Sequence, residues 1–352
     1  MTDTALDQLS RLAMKLVSIP SVSRHEQQIT DWIANEVGGL PQVQVVHRQD
    51  DAIIFGRPGP WDVILAGHSD TVPEQGNMPP ELRDGWIWGL GAADMKGALA
   101  VMLALAGRHD QTSLNPLFVV FGREELATSE SVLAPLLATH SDLSKIPLAV
   151  VMEPTANHLQ AGCLGNIRAE LVFHGRAAHS ARPWLGSNAI HAAISALQEV
   201  ASAPPHDVMV GGLTFREVLS VTEIGGGIAN NVVPDSVTCG INFRYAGNRT
   251  MADAESLLRQ RIGTAGELSI RGHAAGAPVN VDNPLLERLR AAVNLPLEPK
   301  QAWTPVAEFA SRGIDAVNFG PGDPDFAHRR DERVSLAALV SSLTILRNFL
   351  CA

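Results

Sequence analysis

Glu124 and Glu125 stand side by side, directly after an apolar run at 117–121. Adjacent carboxylates at a strand end repel each other unless a cation lies between them or each has its own task. The chain supplies the other ligands such a cation needs. His68 and Asp70 follow an apolar run at 63–66, Asp94 opens a helix, Glu153 follows a run at 148–152, and His328 lies near the C-terminus. Two imidazoles with several carboxylates and no cysteine suit zinc, with cobalt or manganese as substitutes. The carboxylates are too many for one tetrahedral ion. One of them, with Asp94 the natural choice, could bridge two ions about 3.5–4 Å apart. The glutamate pair then reads as one metal ligand beside one general base. His68 needs an acceptor on its other ring nitrogen to fix its tautomer, and Asp70, two residues on, can supply it.

The elements that must position these residues follow from periodicity. Apolar runs at 43–47, 52–55, 63–66, 117–121, 148–152 and 316–319 read as strands. Helical spacing covers 7–17, 25–37, 96–106, 129–138, 284–293, 303–312 and the end from 334. This alternation predicts an α/β layer on a mostly parallel sheet. Such sheets bind ligands beyond the carboxyl ends of their strands, where six of these segments deliver acids and imidazoles. Taken singly, His68, His328 and the glutamate pair read better as capping, packed or surface groups. Together they point to one metal centre.

Between about 166 and 272 the pattern changes. Strands at 167–174, 219–224, 237–245 and 267–271 interleave with helices at 188–201 and 252–262. That β-α-β-β-α-β order is the split βαβ plan of a ferredoxin-like unit. The α/β pattern then resumes, so the expected organisation is a domain of 1–165 and 273–352 with an inserted domain of 166–272.

The bulk composition excludes several classes. The 352 residues are 45% hydrophobic, enough for a large core. A net charge of −10 without a basic run argues against nucleic acid as a partner. Cys163, Cys239 and Cys351 form no CxxC pair, so neither a thiolate zinc site nor a disulfide scaffold is suggested. The first ten residues lack a signal-peptide core and no run is suited to crossing a bilayer, so a cytoplasmic location is expected. Gly225-Gly226-Gly227 lacks the continuation of a phosphate loop, and no Gly-x-Ser-x-Gly elbow of a serine hydrolase occurs.

The motifs also carry a resemblance. Gly67-His68-Ser69-Asp70-Thr71-Val72-Pro73, Gly91-Ala92-Ala93-Asp94-Met95-Lys96-Gly97, Glu124-Glu125 and Glu153-Pro154-Thr155 resemble, in order, the signatures of the dinuclear zinc aminoacylase and carboxypeptidase family. That family includes acetylornithine deacetylase and succinyl-diaminopimelate desuccinylase. The match continues through Ala178-His179-Ser180, Gly186-Ser187-Asn188-Ala189, Asn231-Val232-Val233-Pro234-Asp235 and Gly320-Pro321-Gly322-Asp323 to His328. It is nearest to the desuccinylase branch, in which stretches like Ala161-Gly162-Cys163 and 327–332 recur.

The resemblance implies a zinc-hydrolase catalytic domain with an inserted dimerisation, or lid, domain. It implies a homodimer, two zinc ions per subunit and hydrolysis of the amide of an N-acyl amino acid. Desuccinylation within lysine and diaminopimelate biosynthesis is the leading expectation. Another N-acyl amino acid or dipeptide is the alternative, and a non-catalytic binding homologue a further one. His68, Asp94 and Glu153 would hold one zinc, and Asp94, Glu125 and His328 the other. Glu124 would be the general base, with Asp70 orienting His68. His179, reaching over from the partner subunit, would polarise the oxyanion, with Asn231 nearby. Arg168 and Arg244 would pair with substrate carboxylates. No ligand and no base is missing, whereas a binding relic would be expected to lose one. The resemblance breaks at Pro305 and Glu308, where the branch carries Asp and Arg. A substrate carboxylate there would meet an acid instead of a guanidinium.

Overall fold

The computed structural model describes residues 3–49, 51–108, 112–264, 266–294 and 296–351. The chain divides into two compact units. The first comprises Met1–Gly162, Asn280–Glu298 and Thr304–Ala352; the second comprises Cys163–Val279 and Pro299–Trp303.

An eight-stranded sheet organises the first unit. Its order is Gln44–Gln49, Ala52–Gly56, Pro116–Phe121, Val63–His68, Leu148–Val151, Asp315–Asn318, Gln160–Ala161 and Glu298–Pro299. The four strands from Pro116–Phe121 to Asp315–Asn318 run parallel. Antiparallel neighbours flank them on both sides. Val63–His68, Pro116–Phe121 and Leu148–Val151 are buried along their whole length, as their unbroken apolar runs require of strands covered on both faces. Helix Gly97–Ala106 is apolar all round and buried at every position. It packs between Asp3–Ser18 and Leu336–Cys351.

Three expected helices are altered. The one expected over 96–106 is preceded by a wide turn, Ala92–Lys96, in which Asp94 leaves helical geometry (φ −125°, ψ 94°). The one expected over 129–138 becomes a short turn, Thr128–Glu130, and the helix Leu133–Thr139. Ser131 accepts the Leu133 N–H through its hydroxyl, a local bond that competes with helix continuation. The one expected over 303–312 shrinks to Val306–Ala310, because Pro305 cannot sit inside a helix. A small antiparallel sheet of Glu81–Arg83, Trp86–Trp88 and Arg333–Ser335 was not anticipated, since three-residue strands leave no readable period. Arg333 lies over Trp86, Trp88 and Phe326, at 5.4, 4.3 and 3.9 Å from the ring centroids, which clamps the segment after His328.

The second unit is an antiparallel sheet ordered His206–Val210, Leu213–Gly226, Ser236–Tyr245, Gly165–His174 and Glu267–Ala274. Without the first of these, an added edge strand, it is the ferredoxin-like arrangement. Strict alternation divides its faces. Ile167, Ala169, Leu171 and Phe173 join Val237, Cys239, Ile241 and Phe243 in a core with helices Ala189–Ser202 and Met251–Ile262. Their neighbours Asn166, Arg168, Asn242 and Arg244 occupy the other face.

Glu217, fully buried on Leu213–Gly226, ties that strand to the following turn. It accepts bonds from Arg249 (2.6 and 3.2 Å) and from the Ala246 N–H (3.0 Å). Burial pushes this carboxyl up, but the Arg249 and Ala246 donors outweigh it and hold it below its ordinary value of 4.5. A depressed carboxyl contributes stability above the unfolded-state value, and that contribution is lost as pH falls through the folded one. Glu217→Gln is therefore expected to cost about 3 kcal/mol at neutral pH. In denaturant titrations, the gap to wild type should close progressively below pH 4.5; a gap independent of pH contradicts this assignment.

Candidate active site

The parallel strands deliver the first unit's polar residues to one edge. His68 ends Val63–His68, Glu124 and Glu125 follow Pro116–Phe121, and Glu153 follows Leu148–Val151. His328 arrives through the loop after Asp315–Asn318. That loop approaches backbone so closely that it requires glycine. A Cβ on Gly320 would lie 2.3 Å from the Met152 carbonyl oxygen, and one on Gly322 would lie 2.1 Å from that of Ala93. Thr155 bonds Gly320 in both directions through its hydroxyl, which ties the loop to the Glu153 turn.

Two triads result. His68, Asp94 and Glu153 each offer a ligand atom within 4.8 Å of the others, and so do Asp94, Glu125 and His328. Asp94 belongs to both. Its Oδ1 lies 3.0 Å from His68 Nε2, and its Oδ2 lies 3.6 Å from His328 Nε2. Glu125 lies 2.8 Å from the same His328 nitrogen. Imidazole nitrogens and carboxylate oxygens without thiolate form a donor set that fits zinc, cobalt or manganese.

The electrostatics are those of crowded acids. Burial pushes Glu124 well above its ordinary value, and the charges of Glu153, Glu125 and Asp94 push it further. Burial alone would lower His68, but its bonds to Asp70 and Asp94 and the charges of Asp94 and Glu124 hold it well above 6.5. The bond to Glu125 raises His328 to about 9.

Asp70 does more than the sequence reading assigned to it. His68 Nδ1 lies 3.0 Å from the Asp70 backbone oxygen, with the carboxylate farther, at 3.5 Å. The carboxylate instead accepts the Ser23 hydroxyl (2.7 Å) and the backbone N–H groups of Glu124 (3.0 Å) and Glu125 (3.1 Å). Buried Glu26 accepts the Arg123 N–H just before them (3.0 Å). Buried Glu332 accepts from Gly91, Ala93 and Asp94 (3.0, 3.0 and 3.1 Å). Sequence reasoning missed Ser23, Glu26 and Glu332. Glu332 alone left a signal, four residues after His328 in the stretch that carried the resemblance.

The other residues singled out in the sequence lie in the second unit. Exposed His179 accepts the Ala181 N–H at Nδ1 (3.0 Å), which leaves its proton on Nε2. Bonds from Ser180 to Asn231 and from Val233 to Ala178 bring Asn231 beside it. Arg168 and Arg244 share the helix-free sheet face, paired in register with Asn242 and Asn166. Arg244 donates to Asn242, which donates to Asn166, both at 3.0 Å. Among the described residues neither arginine has an acidic partner. Burial lowers Arg244 from its ordinary value.

Residues 64–352 match the model of Peptidase family M20/M25/M40. The chain belongs to that family. A succinyl-diaminopimelate desuccinylase of Corynebacterium glutamicum is 35% identical over 350 residues, 96% of this chain and 95% of the relative. A Mycobacterium tuberculosis chain provisionally given the same name is 36% identical over 344 residues, 96% of this chain and 97% of its own. Among solved structures, Bacillus cereus aminopeptidase PepT superposes with a TM-score of 0.78 at 19% identity, covering 98% of both chains, a likeness of fold. Membership of M20/M25/M40 makes the chain a metal-dependent amide hydrolase. Among the described residues no helix is long and apolar enough to cross a membrane.

Asp70→Asn puts a donor where the Glu124 and Glu125 N–H groups now find an acceptor. Loss of such an outer partner is expected to lower kcat/KM by about 10–100-fold. Steady-state kinetics check this, and a variant with wild-type kcat/KM excludes the anchoring role.

Proposed function

We propose that this chain is a dinuclear zinc desuccinylase acting on N-succinyl-L,L-diaminopimelate in lysine and diaminopimelate biosynthesis. The observation that carries the reading is the pair of triads meeting at Asp94 with Glu124 beside them. The names of the relatives that match nearly the full chain supply the substrate.

His68, Asp94 and Glu153 would hold one ion, and Asp94, Glu125 and His328 the other. When bound, the pair supplies Lewis-acid polarisation of the amide and a water acidified to a pKa of about 7. Glu124 takes the proton of the attacking water and returns it to the departing nitrogen. Asp70 keeps the Glu124 backbone in place during both transfers. His179 is assigned to the oxyanion, a task suited to its Nε2–H, and performs it from the partner subunit. Arg244, with Arg168 on the same face and Asn231 beside His179, is assigned to the substrate's carboxylates. Guanidinium groups without an acid of their own are free to pair with such a ligand.

The homodimer is proposed through the second unit. Strand Leu213–Gly226 pairs with its edge neighbour only over 213–217, so 218–226 keeps an open edge on that side. Unpaired strand edges are templates for a second chain, and antiparallel pairing satisfies a two-fold axis. Ile224 and Ile228, 62% and 84% exposed, lie at that end. Analytical ultracentrifugation is expected to show twice the chain mass for wild type and a shift to monomer for Ile224→Asp with Ile228→Asp. A wild-type monomer contradicts the dimer.

A panel of N-acyl amino acids tests the substrate. Zinc-loaded enzyme should hydrolyse N-succinyl-L,L-diaminopimelate, and turnover of N-acetylornithine without it would refute the narrower assignment. Glu124→Gln should bind about two zinc ions while kcat falls by about 10²–10⁴-fold. Full activity in that variant would remove Glu124 as the base.

A further inference from the structure

The turn that carries Asp94 has an unusual anchor. Residues 91–94 present three backbone N–H groups, of Gly91, Ala93 and Asp94, toward one point. The Glu332 carboxylate occupies that point. Its Oε2 takes the Gly91 N–H, and its Oε1 takes those of Ala93 and Asp94. Glu332 is 2% exposed, so water does not compete for these bonds. Its backbone is held as well. The Glu332 carbonyl accepts the Gly89 N–H (3.0 Å), and the next residue, Arg333, is clamped by Trp86, Trp88 and Phe326.

Neither oxygen of Glu332 faces an acceptor, so a proton on it would point at an N–H. Burial and the Asp94 charge push its carboxyl up to about 7, with the three backbone N–H groups pulling the other way. The buried Lys96 ammonium adds a favourable field. Lys96 itself is held by the Ile19 carbonyl (2.7 Å).

We propose that Glu332 is a positioning residue for the metal pair. It acts through Asp94: by fixing the Asp94 backbone it sets where the carboxylate shared by both triads can lie. The inference rests on the reading of Asp94 as the shared ligand. Glu332 touches neither the metals nor the substrate, and its effect belongs to ion affinity first and to turnover second. A ligand's outer partner of this kind is worth about 10–100-fold in metal affinity.

The test is zinc titration of metal-stripped protein by calorimetry, with metal content after dialysis and thermal melting of the stripped forms. Glu332→Gln keeps the side chain's size but turns one acceptor into a donor aimed at a backbone N–H. The expected result is about 10–100-fold weaker zinc binding at both sites, with kcat recovering as free zinc is raised. Glu332→Asp keeps the charge but is one methylene short, and should fall between wild type and Glu332→Gln. It decides the matter if Glu332→Gln does not fold. A lowered melting point with unchanged zinc affinity in whichever variant folds means a structural role only and overturns the proposal. Wild type that takes up no zinc overturns the ligand reading and this inference with it; zinc uptake unaffected by the variants overturns this inference alone.

Discussion

Like-charge crowding is the constraint on which the rest of this site depends. Asp94, Glu124, Glu125 and Glu153 converge on one sheet edge, with Asp70 and Glu332 directly behind them. Acids this close raise one another's pKa and drive apart unless each has a compensating donor. The chain solves this with backbone N–H groups more than with lysine or arginine. Asp70 takes two N–H groups from the Glu124–Glu125 turn, and Glu332 takes three from the Asp94 turn. Each acid anchors a turn that carries a different acid. An N–H dipole cannot swing away or pair with bulk ions as a lysine can, so the compensation is also a positional lock.

The fold makes this reciprocal anchoring possible. Parallel strands place the turns after 63–68, 116–121, 148–151 and 315–318 along one edge. Residues distant in sequence thereby become backbone neighbours. Gly320 and Gly322 let the last of these turns touch the backbone at Met152 and Ala93. The clamp on Arg333 then fixes the segment leading back from His328. A rigid site follows from this set of short-range contacts between turns, each buried by the continuous apolar strands beneath.

The parts of the molecule that were legible in the sequence are those that repeat or alternate. The parallel core strands announced themselves as apolar runs, and the second unit as alternating strands interleaved with two helices. The candidate ligands stood out because acids and imidazoles after such runs have few bland explanations when six segments agree. The anchors were not. Glu26 and Glu332 look like ordinary surface acids, because a carboxylate that accepts backbone N–H groups carries no spacing relative to its donors. Glu332 and Gly91 are 241 residues apart. The sheet of Glu81–Arg83, Trp86–Trp88 and Arg333–Ser335 escaped for the same reason, being closed by a strand far along the chain. Asp70 was half legible. Its place beside His68 was clear from a two-residue step, while its hold on Glu124 and Glu125 depended on the fold.

The departure at Glu308 takes a different form in the structure than in the sequence. In sequence it set an acid where a guanidinium was expected, as if a substrate carboxylate would be repelled there. In the structure Glu308 lies on the short helix Val306–Ala310 with Ser131 as its hydrogen-bonding neighbour. Burial pushes its carboxyl up to about 7, with the Ser131 bond pulling the other way. Arg168 and Arg244 share one sheet face of the second unit, and among the described residues neither has an acidic partner. Glu308 can change without disturbing Asp70, Glu332 or the turns they hold, since it bonds to none of them.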